Sequence, residues 1–131
     1  MRRLPLLLVA MLALMQSCAG GSEKKEDLAA LAAKSFYDSL VAGRYECFVD
    51  DFASNKRIPD GYREQLVVNA KQFLARQGQE HQGIKTVSVV GSKVDSVAQV
   101  THVFLLLCFG DSTKEEILVP MVRDGDTWMM K

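Results

Sequence analysis

The feature that most constrains the fold is the run of β-rich segments in the C-terminal part of the chain. The turns before the last two segments, at Gly110–Ser112 and Asp124–Gly125, are only two or three residues long. Connections this short join neighbouring strands in antiparallel order. The sequence therefore predicts a four-stranded antiparallel sheet. Its predicted strands cover residues 84–90, 96–109, 113–122 and 127–130.

Helical patterns occupy the residues before the strands, with apolar side chains at three- and four-residue spacing. Ser22 is the candidate N-cap of the first helix, and Gly43 and Gly78 are the candidate ends of the first and third. Segregated helices and strands predict an α+β fold with the N-terminal helices packed on one face of the sheet. The predicted helices cover residues 23–42, 45–52 and 60–77. The predicted buried face of the first comprises Leu28, Leu31, Ala32, Ser35, Phe36, Ser39 and Leu40.

Three short patterns accompany this order of elements: Phe36-Tyr37, Gly43-Arg-Tyr45 and the Asp-Gly-x-x-Trp that ends at Trp128. From about Lys24 to Lys131 the chain resembles the nuclear transport factor 2-like (cystatin-like) superfamily, and within it small bacterial lipoprotein domains of unknown function. The resemblance implies a curved sheet that wraps the helices into a cone, whose mouth can form a pocket. It carries no catalytic motif, and the Gln-x-Val-x-Gly stretch of cystatin protease inhibitors is absent from the sequence.

The first residues form a targeting segment. Arg2 and Arg3 precede an apolar stretch over residues 4–15, which is shorter than the roughly 20 residues that cross a bilayer. Met15-Gln-Ser-Cys18 resembles the lipobox of bacterial lipoproteins. We expect residues 1–17 to be a lipoprotein signal peptide, residues 18–23 a lipidated cysteine and flexible tether, and residues 24–131 the folded domain. The alternative is ordinary secretory cleavage that leaves Cys18 as a free thiol.

The same segment predicts the location and one partner. The chain is expected to cross the inner membrane and to be held in a membrane by acyl chains on Cys18. Ala19 after the cysteine resembles lipoproteins that are sent to the outer membrane. Without Arg2 and Arg3 the chain has 14 basic and 16 acidic side chains. This slightly negative balance gives no reason to expect nucleic-acid binding, which usually requires a strongly basic face.

The candidate pocket residues are Tyr37, Tyr62, His102 and Phe104. A histidine on an apolar strand face is either a general base or a structural residue with satisfied hydrogen bonds. Cys108 lies about 20 Å along the same strand from His102, so the two cannot form a catalytic dyad. The sequence predicts no catalytic residue and no cofactor.

No metal site is predicted either. Glu80 and His81 are adjacent in a predicted loop, and two neighbouring ligands do not make a site. The acids around Gly125 are read as a hairpin turn, because a calcium loop needs more oxygen ligands. For Cys47 and Cys108 the sequence leaves two alternatives open, a disulfide or two buried thiols.

These observations favour a membrane-anchored, non-enzymatic module that binds a small ligand or a protein. The sheet is the expected surface for a homodimer or for a cell-envelope partner. Two alternatives remain. One is a small enzyme of the isomerase or dehydratase type that uses a pocket between sheet and helices. The other is a structural accessory of a cell-envelope assembly.

Overall fold

Three α-helices precede a four-stranded antiparallel sheet in the computed structural model, which describes residues 27–131. The strands lie in the order β1-β2-β3-β4, and each pairs with its neighbours in the chain. The predicted α+β architecture is confirmed. The elements are α1 Leu28–Val41, α2 Tyr45–Asp50, α3 Asp60–His81, β1 Ile84–Asp95, β2 Val100–Phe109, β3 Lys114–Asp124 and β4 Thr127–Met130, with a short 3-10 turn at Ala53–Asn55 between α2 and α3.

Helix α1 begins at Leu28, later than the predicted start at residue 23. Its N-cap is Asp27, whose side chain accepts a hydrogen bond from the Ala30 backbone N–H at 3.1 Å. This bond satisfies one of the amide groups that a helix leaves unpaired at its N-terminus. Ser22, the predicted cap, lies outside the described residues.

The buried face of α1 matches the prediction only in part: Leu40 is buried, and Ala32 and Phe36 pack against the core. Ala29, Ala30 and Ala33 are buried, whereas Leu28 and Leu31 are 55% and 52% exposed. Small side chains let the helix backbone approach the sheet closely, so the alanines form the contact surface. The predicted placement of Leu28 and Leu31 in the core is therefore wrong.

Helix α3 does not end at Gly78, as predicted, but continues to His81. The chain turns at Gln82 and Gly83, which both have positive φ angles, of 62° and 82°. The Gly83 N–H donates to the Gln77 carbonyl at 2.9 Å and closes the helix end. A glycine inside a helix costs only about 1 kcal/mol relative to alanine, which tertiary contacts at the helix end can offset.

Strand β1 does not end at residue 90, as predicted, but runs through Gly91. The register with β2 shifts between Val89 and Gly91, so this glycine marks a β-bulge. The turn comes later, and there the Asp95 carboxylate accepts hydrogen bonds from the N–H groups of Val97 and Ala98. As a result β2 begins at Val100 rather than at residue 96.

The two faces of β2 have different environments. Val103, Leu105 and Leu107 are 0–1% exposed and belong to the core beneath α1. We call the opposite side the outer face; its β2 residues are only half-buried. In β3, the paired outer-face residues include Leu118, which is 52% exposed. The outer-face residues of β2 are His102, Phe104, Leu106 and Cys108.

Candidate functional site

Aromatic side chains surround a cavity of about 250 Å³ where the three helices meet. Tyr37 of α1 and Phe48 of α2 pack edge to face, with ring centroids 5.2 Å apart. Phe48 packs in the same way on Phe52, at 5.4 Å. Edge-to-face packing gives the wall a fixed shape, because the positive edge of one ring meets the negative face of the next. The lining residues are Tyr37, Leu40, Phe48, Phe52, Ala70 and Phe73.

A second cavity, of about 460 Å³, adjoins the first and shares Phe48, Phe52 and Ala70 with it. Its other side is more polar. Asn55 donates a hydrogen bond to the Val49 carbonyl at 3.0 Å, and Asn69 accepts one from Gln65. Lys131 also lines this opening. We call the two cavities together the aromatic cleft. Its second part is lined by Phe48, Val49, Phe52, Ser54, Asn55, Leu66, Asn69, Ala70 and Lys131.

Tyr37 is the lining residue whose acidity is most affected by its surroundings. Burial raises the pKa of its hydroxyl group, because the phenolate would lose its hydration. The side chain is therefore neutral at physiological pH. It can donate a hydrogen bond to a ligand but is a poor base.

Another opening, of about 470 Å³, lies beside the start of α2. It contains the exposed free thiol of Cys47 and two cations, Arg44 and Lys71. The Lys71 ammonium lies 5.8 Å from the centre of the Tyr45 ring. Cys108, on the outer face of β2, is also a free thiol, so the two cysteines do not form a disulfide in this structure.

The four residues that the sequence singled out for a pocket do not meet. Tyr37 lines the aromatic cleft, whereas Tyr62 is 55% exposed in the first turn of α3. His102 and Phe104 lie on the outer face, across the sheet from the helices. A single pocket that contains all four is therefore excluded by the topology of the sheet.

His102 has no carboxylate directly across from it on the neighbouring strands. Its cross-strand partners are Lys93 and Pro120. Its Nδ1 atom is buried and has no hydrogen-bond partner within the described part of the chain. Nothing in these surroundings orients the ring or activates it as a base.

His81 pairs with Asp111 rather than with its sequence neighbour Glu80. Its Nδ1 atom is 3.0 Å from Asp111 Oδ2, and its ring packs against Phe109 with a centroid distance of 4.9 Å. Hydrogen bonds from Thr113 and, to a smaller extent, from His81 lower the pKa of Asp111 to about 2. This pair joins the end of α3 to the β2–β3 turn. Across residues 27–131 no group of three or more His, Cys, Asp or Glu side chains is arranged to hold a metal ion.

The aromatic cleft was missed as a site because its residues were assigned to the core. Phe48, Phe52 and Phe73 have the helical spacing of buried aromatics. The signal that distinguishes a cavity from a filled core is Ala70, whose methyl group faces large rings from other helices and leaves space between them. The sequence alone does not show how the helices pack, so it does not show that Ala70 lies opposite these rings.

In the described residues, no helix is both long and apolar enough to cross a membrane. The candidate lipidation site, Cys18, and the predicted signal peptide lie outside the described residues.

Comparisons with known proteins give information on the fold of the chain. No protein-family model and no curated protein matches the chain. Among solved structures, the chain is similar to a protein from Campylobacter jejuni that is described as an NTF2-like transpeptidase. The TM-score is 0.60 at 13% sequence identity, and the match covers 76% of this chain and 93% of that one. The chain therefore has the nuclear transport factor 2-like fold that its element order predicted.

Proposed function

We propose that the protein is a non-enzymatic binding module that holds a small amphipathic molecule in the aromatic cleft. The observation that carries this proposal is the cleft itself, an apolar cavity between three helices with polar groups at its second opening. Ligand sites are commonly concave and apolar, with a few polar groups that fix the orientation of the ligand.

The chemistry of the lining favours binding over catalysis. The aromatic part of the cleft contains no acid, histidine or cysteine. Its one ionisable group, Tyr37, has an ordinary pKa of 10, and burial raises this pKa further, so the side chain is neutral at physiological pH. An isomerase or dehydratase needs a base near the reacting carbon. His102, the base that the sequence offered, lies on the other side of the sheet. The enzyme alternative therefore has little support from the site.

The cleft also limits the kind of ligand. Phe48, Phe52 and Phe73 fit an aromatic ring or a short acyl chain, because flat apolar groups pack well on ring faces and edges. Lys131 at the second opening favours an anionic or hydrogen-bonding end group. We therefore propose a ligand with an apolar body and a negatively charged end.

We further propose that the module is a lipoprotein, held at the outer membrane by acyl chains on Cys18. The support is the sequence of residues 1–18: a short basic region, an apolar core and a small residue before the cysteine. Mass spectrometry of the mature N-terminus is the direct test. An acylated Cys18 is the expected result, and an unmodified Cys18 or an intact Met1 would contradict it.

A second candidate role is association with another protein, or with a second copy, through the outer face. The observation that favours it is the half-exposed Leu118 next to Phe104, an apolar pair on a sheet face that no helix of the described chain covers. Sedimentation of the Leu118→Lys variant against the wild-type protein tests this role. A stable complex that the charge disrupts is expected if the face is an interface, and a wild-type monomer would remove the homodimer.

The binding proposal is tested with two dyes of similar shape. Neutral N-phenyl-1-naphthylamine reports on the apolar part of the cleft, and its sulfonated relative 8-anilinonaphthalene-1-sulfonate adds an anionic group. Ala70→Leu places a larger side chain in both cavities and should weaken both dyes by roughly tenfold or more, since it removes the space for a ring. Ala75→Leu, at an exposed position of the same helix, is the matched control and should change neither.

The Lys131→Gln variant distinguishes the contribution of the second opening to binding from that of the aromatic part of the cleft. It should weaken the sulfonated dye and leave the neutral dye unchanged, because the variant removes only the cation at the second opening. Equal affinities of wild-type protein and Ala70→Leu for both dyes would contradict binding in the cleft.

A further inference from the structure

Four aliphatic side chains are exposed at one end of the molecule. Leu28 and Leu31 belong to the first turn of α1 and are 55% and 52% exposed. Val94, the second-last residue of β1, is 70% exposed, and Val97, in the β1–β2 turn, is 95% exposed. We call these four residues the apolar tip. Single exposed aliphatic residues are common on protein surfaces, but a group of them marks a surface that contacts something apolar.

The structure brings the two halves of the apolar tip together. The Asp27 carboxylate accepts a hydrogen bond from the Ser92 hydroxyl, which joins the start of α1 to the end of β1. Leu28 follows Asp27 directly, and Val94 lies two residues beyond Ser92 on the same side of the strand. The Asp95 carboxylate stabilises the β1–β2 turn, because it accepts hydrogen bonds from two backbone N–H groups of that turn.

The chain that leads to Cys18 enters the domain at this same end. Eight residues, 19–26, separate the cysteine from Asp27, and a fully extended chain from Cys18 to Asp27 spans at most about 30 Å. A lipid anchor on Cys18 would therefore keep this end of the domain close to the bilayer surface.

We propose that the apolar tip docks on the lipid bilayer that carries the Cys18 anchor. This inference rests on the proposed lipidation of Cys18 and adds a second membrane contact to it. A tether of this length raises the local concentration of bilayer around the tip, so that a weak apolar contact is sufficient for docking. Partial insertion of the four aliphatic side chains removes apolar surface from water.

The charges near the tip are compatible with a bilayer surface. The carboxylates of Asp27 and Asp95 accept hydrogen bonds from the protein itself. Lys93 lies between Ser92 and Val94 and is exposed on the outer face. Its long apolar stem can lie along the membrane interface while its ammonium group contacts lipid phosphates.

The test uses the full, lipidated chain reconstituted into vesicles of phosphatidylcholine and phosphatidylethanolamine. In a Cys47→Ser/Cys108→Ser background, an environment-sensitive NBD fluorophore is attached at Val97→Cys. The matched control carries it at Gln79→Cys, an exposed position near the other end of the molecule, where α3 approaches the β2–β3 turn. Docking predicts a severalfold higher emission at position 97 and strong quenching there by spin-labelled lipids, with neither change at position 79.

A second variant checks that the apolar surface is responsible. With the fluorophore at Leu31→Cys, Val94→Asp should remove most of the lipid quenching, whereas Thr86→Asp, an exposed β1 position near the other end of the strand, should not. Circular dichroism of each variant verifies that the fold is retained.

The possible failures are distinguishable. If mass spectrometry finds no acyl chains on Cys18, both the anchor and the docking are contradicted. If Cys18 is acylated but positions 97 and 79 respond alike, only the docking is contradicted. Protection of position 97 that depends on protein density and not on lipid quencher would identify a second copy as the partner and would also overturn docking on lipid.

Discussion

Gly110 lies where the end of β2 passes the C-terminal end of α3. Its N–H donates to the Gly83 carbonyl at 2.9 Å. A Cβ atom at this position would lie 2.5 Å from the Gln82 carbonyl oxygen. Because the obstacle is backbone and not a flexible side chain, the contact can be relieved only by moving the helix end away from the strand.

Gly110→Ala should therefore lower the free energy of unfolding by about 1–3 kcal/mol, the usual cost of forcing atoms into a packed contact. Gly78→Ala is the opposite case, because nothing lies within 4 Å of its added Cβ and the residue is inside α3. It should raise the free energy of unfolding by about 0.5–1 kcal/mol. Urea denaturation of both variants measures the difference, and a loss of stability in Gly78→Ala would contradict the long α3.

Asp111 gives the protein a predictable response to acid. Its pKa is lowered from the ordinary value of 3.8 to about 2 in the folded chain, mainly by hydrogen bonds from Thr113. A group with a lowered folded pKa binds protons more readily in the unfolded chain. The stability that it contributes is therefore complete above its ordinary pKa and is lost as the pH falls toward 2.

Asp111→Asn should reduce this acid dependence. The difference in urea midpoint between wild-type protein and variant is expected to stay constant above about pH 5. It should shrink between pH 4 and 2, where the Asp111 carboxylate of the unfolded chain takes up a proton while that of the folded chain is still largely ionised. A difference that does not change over this range would show that Asp111 does not contribute through its charge.

At the scale of elements, the existence and order of the helices and strands were predictable, but some of their ends and faces were not. Local sequence patterns predicted the end of β2 and the start of β4 correctly, because turns that contain Gly and Asp mark both places. Gly78 and Gly91 were misread as ends, because the contacts that continue α3 and β1 past them come from residues far away in the sequence.

Helix α1 illustrates the same limit for faces. Its residues are apolar around much of the circumference, so the spacing of the leucines and that of the alanines each define a plausible buried stripe. The sheet selects the alanine stripe because it allows the closest approach of the helix. Leu28 and Leu31, which the sequence placed in the core, are thereby left at the apolar tip, whereas Leu40 is buried as predicted.

This orientation of α1 predicts effects of different size on stability at two neighbouring positions. Ala33 is fully buried, and Ala33→Leu should lower the free energy of unfolding by about 1–3 kcal/mol through overpacking. Leu31→Ala, at a half-exposed position, should change it by only about 0.5 kcal/mol. Thermal unfolding of both variants is the check, and a reversed order would mean that the leucine face is the buried one.

At the scale of the whole molecule, the fold separates its features onto different surfaces. The aromatic cleft lies where the three helices meet, and His102 and Phe104 lie on the outer face. The apolar tip lies at the end where α1 begins. The candidate site could be predicted only in part. Tyr37 was identified as a pocket residue, whereas Phe48, Phe52 and Ala70 became a site only once the helix packing placed them around a shared space.

A map of backbone NMR shift changes on titration with N-phenyl-1-naphthylamine shows directly whether a ligand binds in the aromatic cleft. Binding in the aromatic cleft predicts changes clustered at Tyr37, Phe48, Ala70 and Phe73, with the outer face unaffected. The same titration of Ala70→Leu should require roughly tenfold or more dye to reach half of the change. Changes clustered at Phe104 and Leu118 instead, or no saturable change in the wild-type protein, would contradict the account.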